Sequence, residues 1–113
     1  MNDCLFCKII KGEIPSTKVY EDEFVYAFLD IQPQAPFHAV IVPKIHIKSA
    51  DVINTENSLY LAKLFEAVAK IAKQENLENG YRVVNNCGTD GGQTVGHIHF
   101  HLLARRNLQW PPG

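Results

Sequence analysis

The hydrophobic positions of this chain change period several times, and each change marks an element. Residues 4–13, CLFCKIIKGE, space Leu5, Phe6, Ile9 and Ile10 as a helix would, which predicts a short helix. In IPSTKVYEDEFVYAFLDI, Phe24, Tyr26 and Phe28 alternate with Val25, Ala27 and Leu29. That alternation predicts two strands, joined by a turn at Glu21-Asp22-Glu23. QPQAP breaks the chain with two prolines, and FHAVIVP is a β-branched run closed by Pro43, a third strand.

TENSLYLAKLFEAVAKIAKQENL predicts the one long helix. Leu61, Leu64, Phe65, Val68, Ile71 and Ala72 form its apolar stripe at the 3.6-residue period. Asn54 or Thr55 is expected to cap it, with Glu56 in the first turn and Asn79-Gly80 as the stop or turn. YRVVNN reads as a strand, CGTDGGQTVG as a glycine-rich loop and HIHFHLLAR as the last strand. The tail NLQWPPG cannot extend a sheet, because Pro111 and Pro112 donate no hydrogen bond. The pattern is α+β: an antiparallel sheet of about five strands, one long and one short helix, and the helices on one face. Residues 1–113 are expected to form one domain.

Composition narrows the partners. Formal net charge is −1 over 113 residues, which argues against a large electrostatic footprint for nucleic acid or an anionic membrane. The apolar runs are too short to span a bilayer, and MNDCLFCKIIKGE lacks the pattern of an export signal, so the expected location is cytoplasmic. Three cysteines do not suggest a disulfide scaffold. Cys4-x-x-Cys7 reads as a redox motif, half a zinc site or coincidence; Cys87 reads as a spectator.

GHIHFHLLARR holds three of the five histidines, at every second position. In a strand, His97, His99 and His101 share one face and Ile98, Phe100 and Leu102 the other. Adjacent histidines would lie roughly 6.6–6.8 Å apart at Cα and the outer two about 13 Å apart. Zn–N bonds are only about 2.0–2.1 Å long, so one ion on all three is awkward. The spacing favours a division of labour, and imidazole can act as a covalent nucleophile toward phosphorus. Gly88, Gly91 and Gly92 in the preceding loop allow backbone amides to approach an anion. Asp30, before the proline-rich turn, has capping that turn as its alternative reading; Phe6, Phe28 and Ile31 have the core as theirs, and so does His38.

GGQTVGHIHFHLL resembles the signature of the histidine triad (HIT) nucleotide-binding family. FCKIIKGEIPS, AFLDIQPQAPFHAVIVPKIHI, GYRVVNN and WPPG resemble its Hint branch. The resemblance implies a HIT-like fold and a nucleotidyl hydrolase that releases AMP from phosphoramidate-type substrates. His99 would attack the α-phosphorus and form a nucleotidyl-histidine. His97 would orient His99 through its backbone carbonyl, His101 would contact phosphate, and His38 would support the cluster. Asp30 would bind both ribose hydroxyls. Leu5, Phe6, Ile9, Phe28, Leu29 and Ile31 would enclose a purine base. Asn86 and Thr94, with the backbone of Gly92 and Gln93, would line the phosphate side; the neighbour Asn85 is the alternative to Asn86.

The resemblance also implies a homodimer with a continuous sheet, Trp110 covering the leaving group at the partner's site. In a related branch, the galactose-1-phosphate uridylyltransferases, a similar Cys-x-x-Cys works with two histidines. By that likeness Cys4, Cys7, His46 and His97 would hold a structural zinc ion, with no metal required for catalysis. Two other readings are a dinucleoside polyphosphate hydrolase, with the same chemistry and another leaving group, and a non-catalytic nucleotide-binding module. Arg105-Arg106 reads as an exposed pair.

Overall fold

The computed structural model describes residues 3–113; Met1 and Asn2, the first residues of the N-terminal stretch read above, lie outside it. The element order is α1 (Leu5–Ile10), β1 (Lys18–Glu21), β2 (Val25–Leu29), β3 (Phe37–Pro43), α2 (Ser58–Gln74), β4 (Tyr81–Asn85), α3 (Gly88–Gly91) and β5 (Phe100–Ala104). The five strands form one sheet in the order β1-β2-β3-β5-β4, every pair antiparallel. The expected α+β class is the one observed.

Local chemistry accounts for the boundaries. Cys4 caps α1, its Sγ accepting from the Cys7 N–H at 3.3 Å. Asp22 forms the β1–β2 turn by accepting from the N–H groups of Phe24 and Val25 at 2.8 and 3.0 Å. The long helix starts later than its composition suggests. Asn54 Oδ1 accepts from the Glu56 and Asn57 amides at 2.8 and 3.2 Å, which closes the turn before the helix, and Asn57 takes the cap position. The helix also ends earlier, at Gln74, where Asn76 is left-handed (φ 57°). Asn79-Gly80 therefore turns the chain into β4 and does not stop the helix.

Leu64, Ala67, Val68 and Ile71 are the buried stripe of α2. They pack on Val25, Ala27, Phe37, Ala39, Ile41, Leu102 and Ala104 from one sheet face. Each fully buried leucine or isoleucine stabilises by about 1.5–3 kcal/mol. Phe65, expected in the stripe, is half exposed and rests edge-on against Phe100 at 5.4 Å.

The short helix corrects the expectation of helices on one face. Phe6 and Ile9 of α1 pack on Tyr26, Phe28, Val40 and Val42, the alternate residues of the same strands. β2 and β3 are thus buried on both sides, which is why they read as nearly continuous apolar runs. α1 roofs the sheet face on which His38 and His101 stand.

Candidate functional site

The last strand is shorter than HIHFHLLAR suggests. β5 begins at Phe100, so His97 and His99 precede it in an unpaired segment and only His101 stands within the sheet. The alternation of faces survives: Ile98, Phe100 and Leu102 join the α2-side core. What changes is who holds the first two histidines. In place of ladder bonds, the Ile98 N–H donates to the Ile47 carbonyl at 2.6 Å, and side chains do the rest.

His97 is fully buried. Its Nε2–H donates to the Pro43 carbonyl at 3.0 Å, so Nδ1 keeps its lone pair. That nitrogen lies 3.5 Å from Cys4 Sγ and 3.6 Å from Cys7 Sγ, while His46 Nδ1 lies 3.5 Å from Cys7 Sγ. A tetrahedral zinc ion with ordinary Zn–S and Zn–N bonds has sulfur–nitrogen edges of about 3.6 Å. The four donors expected from sequence therefore converge at the right size, all within 4.8 Å of one another. Burial pushes His97 down to about 4, opposed by the Pro43 carbonyl and helped by the neighbouring His46 and His99. Burial and the adjacent Cys4 push the Cys7 thiol up to about 11, a direction that a bound cation would reverse.

The backbone of His97 turns to the other side. Its carbonyl accepts from His99 Nδ1–H at 2.8 Å. The proton is thereby fixed on Nδ1, and Nε2 of His99 is a free lone pair. Nε2 has no partner among the described residues, and it is not sealed from solvent. Burial holds His99 below the usual imidazole value, with the His97 carbonyl and Asp30 opposing it. At neutral pH the ring is thus neutral and nucleophilic at one defined nitrogen. Phe6 stands edge-on against this ring at 4.9 Å, against His97 at 6.0 Å and against Phe28 at 5.6 Å.

His38 and His101 form the remaining pair, Nε2 to Nδ1 at 2.8 Å. Asp30 Oδ2 lies 3.4 Å from the same His38 nitrogen and 4.0 Å from His101 Nδ1. Asp30 Oδ1 accepts from the Gln32 N–H at 2.8 Å, so the carboxylate does close the turn, with lone pairs to spare. Burial lowers both imidazoles: His99 and His38 add to the effect at His101, and Asp30 opposes it at both rings.

Among the expected base-slot residues, Phe6, Ile9 and Phe28 are buried together under α1. Leu5, Leu29 and Ile31 are exposed, Ile31 at 95%. The Gly92 and Gln93 amides donate to the Thr89 and Gly88 carbonyls, both at 3.0 Å. Gly92 (φ 79°) closes α3 in the left-handed region that favours glycine. The Gln93 side chain bonds Lys48, Gly88 and Val95. Thr94 is exposed and makes no hydrogen bond among the described residues. Asn86 is half-buried just past β4. It is Asn85, in register with Phe100, whose Nδ2 donates to the His99 carbonyl at 3.0 Å. Only the count of residues in the preceding loop favoured Asn86 in the sequence. Trp110 is 80% exposed, on a tail whose Leu108 and Gln109 carbonyls accept from Arg82 at 3.4 and 3.0 Å.

Similarity to known proteins agrees with this geometry. The HIT domain pattern matches residues 11–108. A 14 kDa zinc-binding protein of Zea mays is 51% identical over 117 residues, covering 96% of this chain and 87% of its own. The purine nucleoside phosphoramidase of Escherichia coli K12 is 47% identical over 107 residues, covering 94% of this chain and 90% of its own. The crystal structure of a HIT family hydrolase from Legionella pneumophila superposes with a TM-score of 0.95 at 51% identity, covering 98% of this chain and all of that one. The chain belongs to the HIT family.

Proposed function

We propose that this protein is a nucleotidyl hydrolase that releases AMP from phosphoramidate-type substrates. The observation that carries the reading is the 2.8 Å bond from His99 Nδ1–H to the His97 carbonyl, which leaves a neutral Nε2 lone pair that is not sealed from solvent. His99 Nε2 attacks the α-phosphorus. The bond to the amine breaks, and the amine leaves as it takes up a proton from solvent, which the attacking water of the second step gives back. Water then attacks the nucleotidyl-His99 and cleaves the phosphorus–nitrogen bond, which releases AMP and restores the lone pair. Asp30 accepts from the two ribose hydroxyls, His101 and Thr94 contact phosphate, and the base lies along Leu5, Phe6, Ile9, Phe28, Leu29 and Ile31. Relatives that bear the names of a phosphoramidase and a hydrolase support this reading.

Cys4, Cys7, His46 and His97 would hold zinc, which supplies a cross-link between α1, the segment after β3 and the start of the histidine motif. The match of their spacing to a tetrahedron supports this, as does the zinc-binding maize relative. We further infer a single domain that pairs as a homodimer in the cytoplasm, with the exposed Trp110 against the partner's site. Among the described residues no helix is long and apolar enough to cross a membrane.

Mass spectrometry of the protein mixed with an AMP–amine conjugate tests the function. A mass increase of one AMP group, mapped to His99, is the expected result; turnover with an adduct elsewhere, or no turnover, would refute it. A dinucleoside polyphosphate compared in the same assay decides the leaving group.

A further inference from the structure

The loop between β2 and β3 makes a contact that neither the nucleophile nor the cysteine cluster uses. Gln34 is engaged on both sides of its backbone. Its N–H donates to His38 Nδ1 at 3.0 Å, and its carbonyl accepts from Arg106 Nε at 3.0 Å. Arg105 just after β5 is left-handed (φ 74°), which turns the chain where Arg106 meets this loop.

An imidazole nitrogen that accepts an amide N–H carries no proton, so the neutral ring keeps its proton on the other nitrogen. His38 is therefore protonated on Nε2, 2.8 Å from His101 Nδ1. Asp30 Oδ2, at 3.4 Å from the same nitrogen, is the weaker acceptor by distance. His101 Nδ1 then accepts, and its single proton sits on Nε2. That nitrogen has no partner among the described residues, is not sealed from solvent, and belongs to a ring 5.2 Å from His99.

We propose that Arg106 is a positioning residue: by holding the Gln34 carbonyl it keeps the Gln34 N–H on His38, and so makes His101 an N–H donor toward a ligand's phosphoryl oxygens. The ligand rests on the function proposed above; the proton arrangement needs no substrate. Arg106 is exposed and acts through one hydrogen bond, so the expected effect is a roughly two- to tenfold loss in kcat with KM little changed.

Two-bond ¹H–¹⁵N NMR of the histidine-labelled full chain reads each tautomer directly. In the wild type, His38 and His101 both carry the proton on Nε2. Arg106→Ala, and Gln34→Pro, which deletes the N–H itself, each give mixed tautomers at both rings. Arg106→Lys, which keeps a donor, restores them. Arg105→Ala removes the same charge one residue away, where the guanidinium bonds Glu75, and leaves both tautomers unchanged. Unaltered tautomers in Arg106→Ala overturn the proposal even if Gln34→Pro fails to fold; so does a wild-type His101 protonated on Nδ1. Correct tautomers in a wild type that turns over no phosphoramidate sink the proposed function and leave the relay standing.

Discussion

Two side-chain clusters flank His99, and by distance both could hold a metal: Cys4, Cys7, His46 and His97 on one side, Asp30, His38 and His101 on the other. The outer partner of each ring separates them. His97 donates Nε2–H to the Pro43 carbonyl, so its Nδ1 is a free ligand atom. His38 accepts the Gln34 N–H on Nδ1, so its Nε2 already holds a proton and already has a use for it. A metal there would have to displace that proton and leave Nδ1–H facing another N–H. One cluster leaves a ligand nitrogen free for a cation; the other commits its nitrogens to a proton. Ligand spacing alone does not make a metal site; the hydrogen bond on the far side of each imidazole decides.

The largest effect should come at the residue between the clusters. His99→Ala should lower hydrolysis of an AMP–amine conjugate by about 10³-fold or more, with AMP binding retained in calorimetry. Retained turnover would remove the nucleophile from the account. Next, Cys4→Ser with Cys7→Ser should take zinc in elemental analysis from one per chain to none and lower the melting temperature by about 10–20 °C. Asp30→Asn should leave the metal content at one. Two ions per wild-type chain would break the contrast.

Acid should also separate the two sides. In metal-free protein, the His97 value of about 4 lies below the ordinary 6.5, so the unfolded chain takes up that proton first. The contribution is complete above pH 6.5 and lost as pH falls to about 4. It amounts to roughly 3 kcal/mol, visible in thermal melts. Asp30 opposes the lowering at His38 and His101, so NMR titration should show both protonating before His97. The smallest effect concerns ribose: Asp30→Asn should weaken AMP binding by about tenfold. An unchanged dissociation constant would take the carboxylate out of the ribose site.

The two clusters also differ in how far they could be read from sequence. All four cluster cysteines and histidines were named by likeness to a known motif, and their spacing agrees. The sequence casts His38 only as support and His101 only as a phosphate contact, not as a bonded pair. Its direction depends on a backbone amide at Gln34 and a guanidinium at Arg106, neither of which carries a signal in the sequence, since any residue but proline has an N–H. The Asn85 bond to the His99 carbonyl follows from strand register with Phe100, which residue counting along the loop does not supply. The segment at His97 and His99 reads as strand from its alternation, yet bonds to Ile47, Pro43 and the cysteine cluster hold it.

By itself the sequence determined what depends on period and residue type: the apolar stripe of α2, the apolar runs of β2 and β3, the opposite faces of the histidines and their neighbours, and the chemistry each side chain offers. Those follow from 3.6- and 2-residue repeats, which are local. Only the tertiary structure decided that α1 roofs the face opposite α2, and that Cys4 meets His97 across 93 positions. It also decided which nitrogen of each imidazole is free. A ring nitrogen's role is set by whatever donor or acceptor packs against its other side, and those partners arrive from distant parts of the chain.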